Sequence, residues 1–163
     1  MKSTHHIAAF SGHRSYDGSA DDRLRSVVAE LYDAGVRIFR VGMAEGFDLA
    51  AGEAVISLMA SHDDIVLAAY VPWPQFSARF SWESKQKYEA IMAKAQVVRY
   101  AGFAYQSNIF YQRNDMLVDG AGYLVAWWNG SRSGTGYTVG RARRQRSKII
   151  NLHPSSVTEQ TLL

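Results

Sequence analysis

The 163-residue chain contains no cysteine, so it has neither a disulfide framework nor a thiolate site. It also lacks any apolar run near the ~18 residues that a membrane-spanning helix needs. The amino-terminal segment reaches Ser11 and Gly12 before a secretory apolar region could develop. These absences argue against disulfide-rich secreted proteins and integral membrane proteins. We therefore expect a cytoplasmic protein with no membrane partner.

Acidic residues are absent between Asp119 and Glu159. The basic residues of the same interval are Arg132, Arg141, Arg143, Arg144, Arg146 and Lys148. Their positive field could steer an anionic ligand or attract a nucleic-acid backbone. Cations near the C-terminal end of a helix explain the same pattern, because they complement the helix dipole. We favour the helical explanation over nucleic-acid binding.

The composition, 47% hydrophobic and 20% charged, fits one globular domain, with a core over residues 7–152 and a peripheral tail over residues 153–163. The predicted strands are Ile7–Phe10, Val36–Val41, Ile65–Val71, Gln96–Tyr100, Tyr123–Trp128 and Lys148–Leu152. The predicted helices are Asp21–Ala34, Phe47–Ser61, Trp82–Ala95, Gln106–Gly120 and Thr135–Gln145. This alternation predicts an α/β fold with a doubly wound, mainly parallel sheet and helices on both faces.

A run rich in glycine and hydroxyl groups, Trp128 to Thr138, lies between a predicted strand and a predicted helix. Backbone N–H groups, the positive end of the helix dipole and the hydroxyls of Ser133, Thr135 and Thr138 would converge there on an anion. The run fits an ordinary strand-to-helix turn equally well, with Thr135 as the N-cap. Taken alone, it does not separate a phosphate site from a turn.

A second cluster, Ser11 to Arg14, follows the first predicted strand, where ligands of such sheets bind. Gly12 permits a close backbone approach, and Arg14 supplies a forked donor suited to phosphate. His13 could act as an acid or base, but a lone loop histidine is more often a hydrogen-bonding or surface residue. We therefore favour Arg14 over His13 as the functional side chain.

A third cluster runs from Gly42 to Asp48 and includes Met43, Glu45 and Gly46. Asp48 falls in the first turn of a predicted helix, where capping explains it. Alternatively, its carboxylate accepts hydrogen bonds from a sugar hydroxyl or a base. Glu45 lies in the loop without such a structural role. Both carboxylates are candidates for ligand binding and for catalysis.

Arg113 and Asn114 lie in a predicted helix whose other residues are mostly apolar. An arginine within an apolar stripe is costly unless it is paired. Its partner is either an internal carboxylate, such as Asp115 or Glu45, or the anion of a ligand. Arg113 is therefore a candidate for both binding and catalysis.

Five segments of the chain occur in the order found in the SLOG superfamily: SGHR, GMAEGFDLAAGE, VPWPQF, YQRNDMLVDGAGYLVAWWNG and SGTGYTVGRA. From Ile7 to about Leu152 the chain resembles the YpsA-like branch of that superfamily. The resemblance implies a Rossmann-like sheet and binding of a nucleotide or nucleotide-derived ligand, with no settled reaction. The superfamily also includes the LOG phosphoribohydrolases and the DNA-binding DprA proteins.

By this resemblance, Gly134 and Thr135 match the Gly-Thr of the LOG phosphate loop, PGGxGTxxE, and Arg113 matches an arginine that contacts the nucleotide. The catalytic glutamate of that loop falls on Thr138, which cannot act as a carboxylate base. The loop also reads GSRSGT where LOG enzymes have PGGxGT. LOG-type hydrolysis through that position is therefore disfavoured, although a relocated carboxylate, Glu45 or Asp48, could replace it.

We predict a binding or sensor domain for a phosphorylated nucleotide derivative, and an ADP-ribose-type compound is one candidate. A nucleotide N-glycosidase is the first alternative, and DprA-like binding of single-stranded nucleic acid is the second. The histidines show no metal-ligand spacing, so we assign no metal site, although a nucleotide could bring Mg²⁺ with it. The sequence leaves the oligomeric state open, including a homo-oligomer. The expected ligand-binding residues are Ser11, Gly12, Arg14, Gly42, Met43, Glu45, Gly46, Asp48, Arg113, Asn114, Ser133, Gly134, Thr135 and Thr138.

Overall fold

A computed structural model of the chain describes residues 5–155. Its strands are β1 (Ile7–Gly12), β2 (Ile38–Val41), β3 (Val66–Val71), β4 (Val97–Tyr100), β5 (Tyr123–Trp127) and β6 (Lys148–Asn151). Its α-helices are α1 (Asp21–Asp33), α2 (Phe47–Met59), α3 (Trp82–Lys94), α4 (Ile109–Val118) and α5 (Gly134–Arg144). A short 3-10 helix spans Phe76–Arg79. Most of the predicted tail, residues 156–163, lies outside the described residues.

The strands form one Rossmann-like sheet in the order β4-β3-β2-β1-β5-β6. Every neighbouring pair of strands is parallel, so the sheet is parallel throughout rather than only mainly so. Buried apolar residues dominate its central strands, and all five residues of β5 are buried. Such strands need cover on both faces, which the helices supply. The α/β prediction is therefore confirmed.

The helices are divided between the two faces of the sheet. The first three, α1 to α3, pack together over one face, above a core that contains Phe10, Phe39 and Leu67. The last two, α4 and α5, pack over the other face, above a core that contains Leu124 and Val139. No helix among residues 5–155 is both long and apolar enough to cross a membrane.

The strand order reverses at β1. The chain moves outward from β1 to β4 and then returns to place β5 on the other side of β1. Because parallel crossovers are right-handed, α1 and α5 leave neighbouring strands toward opposite faces. A crevice opens at the carboxyl ends of strands at such a reversal.

β1 ends two residues later than predicted, because Ser11 and Gly12 continue the ladder opposite Ala126 and Trp127 of β5. Ser11 and Gly12 are therefore the last residues of a central strand, and the loop begins after them. This extension places their backbone at the mouth of the crevice.

Gly46 fixes the loop after β2 against the loop after β1. Its φ is +85°, and a Cβ there would lie 2.5 Å from the backbone carbonyl oxygen of Arg14. We expect Gly46→Ala to lower the free energy of unfolding by about 3 kcal/mol, because left-handed strain and a backbone clash add together. Chemical denaturation measures this loss.

Gly120→Ala is the matched control. Its φ is +81°, and no heavy atom lies within 4 Å of the added Cβ. The control should therefore lose only the cost of a left-handed backbone, about 1 kcal/mol. Equal losses in the two variants would contradict the contact between the two loops.

Candidate functional site

A cleft of about 350 Å³ lies where the strand order reverses. Its walls come from the end of β1 and the loop after it, the first turn of α2, helix α4 with the residue Ser107 before it, and the start of α5. The predicted binding residues that line it are Ser11, Gly12, Arg14, Asp48, Arg113, Asn114, Ser133, Gly134 and Thr135. Segments distant in the sequence thus meet at one cleft.

The amino-terminal end of α5 presents backbone donors to this cleft. Ser133 is the N-cap residue, and its hydroxyl accepts a hydrogen bond of 3.1 Å from the N–H of Gly136. The prediction of Thr135 as the N-cap is therefore wrong, because the N-cap is Ser133, two residues before Thr135, and the helix begins at Gly134. The N–H groups of Gly134 and Thr135 donate no hydrogen bond to the described residues. Both residues line the cleft.

Arg113 is 6% exposed and holds three elements together. Its Nη1 donates to the backbone carbonyl of Gly42 and, at 3.4 Å, to that of Tyr70, and its Nε donates to Oδ1 of Asn114 at 2.9 Å. The third nitrogen, Nη2, makes no hydrogen bond within residues 5–155. Burial lowers the pKa of Arg113, while the charge of Asp48 opposes that shift.

The two carboxylates expected to pair with Arg113 have other partners. Asp115 forms an ion pair of 3.3 Å with Arg141. The carboxylate of Glu45 accepts a hydrogen bond of 3.2 Å from the backbone N–H of Ser81. The prediction of either as the partner of Arg113 is wrong, because the guanidinium donates instead to the backbone carbonyls of Gly42 and Tyr70 and to the side chain of Asn114.

Asp48 joins the end of β1 to the loop that follows β2. Its Oδ1 accepts a hydrogen bond of 3.3 Å from Gly12 N–H, and its Oδ2 accepts one of 3.2 Å from Ala44 N–H. Burial raises the pKa of Asp48 to about 6, although the charge of Arg113 and both hydrogen bonds oppose the shift. A Cβ on Gly42 would lie 2.7 Å from Asp48 Oδ2 and 3.5 Å from Arg113 Nη1, so glycine is required between the two charges.

Arg14 and His13 lie side by side at the mouth of the cleft. The guanidinium of the exposed Arg14 is 5.7 Å from the centroid of the Phe110 ring. His13 Nε2 lies 3.1 Å from the backbone N–H of Asn129 and 3.0 Å from its side-chain oxygen. Burial lowers the pKa of His13. His13 thus connects the loops after β1 and β5, while Arg14 has no ion-pair partner among the described residues.

The remaining predicted residues do not line this cleft. Met43 is fully buried in the apolar core with a φ of +70°, and Gly42 lies behind Asp48 and Arg113. Glu45 and Gly46 line a neighbouring groove. Thr138 is fully buried within α5, where its hydroxyl donates a hydrogen bond of 3.0 Å to the carbonyl of Gly134.

Sequence reasoning missed four lining residues, Ala44, Ser107, Phe110 and Tyr111, and disfavoured a fifth, His13. Phe110 precedes Arg113 by three residues and Asn114 by four, so all three share one face of α4. That spacing was the available signal. Within residues 5–155, no group of three or more acidic or histidine side chains could hold a metal ion.

The comparisons with known proteins agree with this architecture. The YpsA family model, described as the YspA SLOG family, matches residues 7–158. The chain is 24% identical over 128 residues to the UPF0398 protein YpsA of Bacillus subtilis (strain 168), a match that covers 77% of this chain and 71% of that protein.

Two solved structures share the fold. One is the DNA processing protein A (DprA) of Streptococcus pneumoniae, with a TM-score of 0.69, 15% identity and coverage of 96% of this chain and 54% of that one. The other is DNA processing protein A of Helicobacter pylori, a structure that describes a single-stranded DNA binding mode. Its TM-score is 0.63 at 16% identity, and the match covers 90% of this chain and 64% of that one. The chain therefore spans about half to two thirds of the length of these proteins.

The buried carboxyl of Asp48 gives a pH-dependent stability. Its pKa is about 6 in the folded protein against an ordinary value of 3.8, so the folded state binds the proton more tightly. The stabilisation that comes from this tighter proton binding is fully present below the ordinary pKa, and it is lost as the pH rises through the pKa of the folded protein. We expect the stability of the wild type relative to Asp48→Asn to fall by about 2 kcal/mol between about pH 4 and about pH 7.

Urea denaturation of both proteins across this pH range measures the difference. Other titrating groups cancel because both proteins contain them. A difference that stays constant with pH would contradict the buried, proton-binding carboxyl.

Proposed function

Since the chain belongs to the YpsA family of SLOG proteins, we propose that its cleft binds the phosphate of a nucleotide or nucleotide-derived small molecule. One observation carries the proposal: Gly134 and Thr135, whose N–H groups donate to no described residue, line the same cleft as Arg14 and Arg113. Helix N-terminal N–H groups and arginine are the donors that proteins commonly use for phosphate.

The charge of the cleft supports the same ligand. Its charged lining residues are Arg14, Arg113 and Asp48, so cations outnumber the single carboxylate. Both oxygens of that carboxylate already accept backbone hydrogen bonds. The cleft therefore favours an anion.

Neutral donors and acceptors in the cleft suit a sugar. Ser11, Ser107 and Asn114 supply two hydroxyls and an amide to its lining. The Nδ2 of Asn114 lies 3.8 Å from where a Cβ on Gly134 would stand, which places an amide donor beside the start of α5. A ribose next to the phosphate would find partners there.

Binding without turnover fits these carboxylates better than glycosidase chemistry. Thr138 stands where LOG-type loops have glutamate, and its hydroxyl is buried in α5. Glu45 lines a different groove. Asp48 is the one carboxylate among residues 5–155 that lines the cleft, and it joins the end of β1 to the loop after β2. We therefore place N-glycosidase activity second to binding.

The exposed basic end of α5 supports a second candidate function, binding of single-stranded nucleic acid. Arg144, Arg146 and Lys148 lie exposed along the end of α5 and the start of β6. The fold neighbour from Helicobacter pylori, DNA processing protein A, has a single-stranded DNA binding mode. Here the basic end of α5, rather than the cleft, would contact the phosphate backbone.

Arg14→Ala tests the phosphate site. We expect isothermal titration with nucleoside monophosphates, dinucleotides and ADP-ribose to show binding that weakens about tenfold or more in the variant, because a charge-assisted contact is lost. Arg14 is exposed, so the melting temperature should not change. Arg25→Ala on α1 removes the same charge far from the cleft and should bind like the wild type.

The same samples are analysed for free base, which a glycosidase would release and a binding protein would not. Absence of binding across the whole panel, or equal affinities in Arg14→Ala and wild type, would contradict the phosphate site. Release of base that stops in Asp48→Asn would favour the glycosidase.

The nucleic-acid candidate predicts binding of a poly-dT oligonucleotide that weakens steeply with salt. Replacing Arg144 and Arg146 together with alanine should reduce the slope of log K against log salt by about 0.7 per arginine, since each phosphate contact releases counterions. Fluorescence anisotropy at several salt concentrations measures this slope. An unchanged slope, or no binding by the wild type, would eliminate this candidate.

A further inference from the structure

A second pocket of about 540 Å³ adjoins the cleft at the start of α5. Side chains of Tyr111, Trp128 and Tyr137 line it, and we call it the aromatic pocket. It shares Tyr111, Ser133 and Gly134 with the cleft. The N-terminal end of α5 therefore lies between two pockets, each within the ~300–1,000 Å³ typical of small-molecule sites.

Hydrogen bonds and ring contacts hold the aromatic side chains in place. Trp128 Nε1 donates to the carbonyl of Ser131 at 2.7 Å, and the Tyr137 hydroxyl donates to Asp115 at 2.7 Å. The rings of Tyr111 and Tyr137 meet edge to face, with centroids 4.8 Å apart. The polar atoms of Trp128 and Tyr137 are thus occupied. The guanidinium of Arg143 lies 5.7 Å from the centroid of the Trp128 ring, and the ring surfaces that stay uncovered can stack.

Gly136 permits this arrangement. A Cβ there would lie 2.7 Å from the carbonyl oxygen of Ser131 and 3.1 Å from Trp128 Nε1. The loop after β5 can therefore hold its tryptophan against the first turn of α5 only with glycine at this position. The structural constraint and the aromatic lining belong to the same short segment.

The two pockets differ in chemistry. The cleft offers Ser11, Asp48 and Asn114, which suit sugar hydroxyls, whereas the aromatic pocket offers three rings, which suit a planar base. Arg132, also in the aromatic pocket, is exposed and forms no hydrogen bond or ion pair within residues 5–155. Cationic and backbone donors for an anion thus lie close to the junction of the pockets.

We infer that the ligand is a two-ended nucleotide whose diphosphate lies at the start of α5, with its base in the aromatic pocket and its second sugar in the cleft. This inference rests on the proposed phosphate site and adds a base-binding subsite and the placement of the two ends of the ligand. Trp128 and Tyr111 are the stacking surfaces of that subsite. Ser11 and Asn114 contact the sugar.

Three probes separate the two ends: AMP carries the base with its own ribose and phosphate, ribose 5-phosphate carries a sugar and a phosphate without a base, and ADP-ribose carries both ends. Isothermal titration should show that ADP-ribose binds at least about tenfold more tightly than either fragment, because the linked groups bind together. Trp128→Leu should weaken the binding of AMP and ADP-ribose about tenfold through lost stacking and leave the affinity for ribose 5-phosphate unchanged. Ser11→Ala should weaken the binding of ribose 5-phosphate and ADP-ribose and leave the affinity for AMP unchanged.

Trp128→Phe keeps a ring in the pocket, so it provides a second test if the leucine variant misfolds. It should retain the affinity for AMP but lose the quenching of tryptophan emission that adenine causes in the wild type. If Trp128→Leu binds AMP and ADP-ribose like the wild type, or the quenching persists in Trp128→Phe, the base subsite is overturned while the phosphate site stands. If none of the three probes binds the wild type, both proposals fall.

Discussion

The candidate site depends on one topological constraint, the reversal of strand order at β1. Strands β2 to β4 extend the sheet on one side of β1, and β5 lies on its other side. Helices α1 and α5 therefore cover opposite faces of the sheet. The carboxyl ends of β1 and β5 are therefore left with a crevice between them. Ser11 and Gly12 at the end of β1 and the start of α5 reach the same cleft for this reason.

Two buried charges then fix the edge of the sheet around that crevice. Asp48 accepts hydrogen bonds from backbone N–H groups at the end of β1 and after β2, and Arg113 donates to backbone carbonyls after β2 and in β3. Within residues 5–155 neither forms the direct ion pair that a buried charge usually requires, and Gly42 lies against both. Because most of their hydrogen bonds go to the backbone, the loops are positioned with little freedom, as a preorganised binding site needs.

The sequence predicted the fold well because its signals are local and repeated. Apolar runs of strand length alternate with helical segments, and this pattern alone implies parallel crossovers and a binding edge. The partners of Arg113 could not be predicted, since backbone carbonyls leave no trace in a residue pattern. Thr138 was misplaced for a related reason: its hydroxyl bonds to the carbonyl four residues earlier in α5, an arrangement that a phosphate-loop pattern does not reveal. Phe110 was missed because it fits an ordinary apolar stripe, and Tyr111 was missed because it is an exposed residue beside that stripe.

The central claim is that the N–H groups at the start of α5 bind phosphate, and amide chemical shifts report on those groups directly. We predict that titration of the ¹⁵N-labelled protein with pyrophosphate moves the amide signals of Gly134 and Thr135 most, with smaller changes at Gly12 and Arg14. Signals of α1 should stay in place. Unmoved signals at Gly134 and Thr135, with the largest changes at Arg144 and Arg146, would contradict the account and assign anion binding to the basic end of α5.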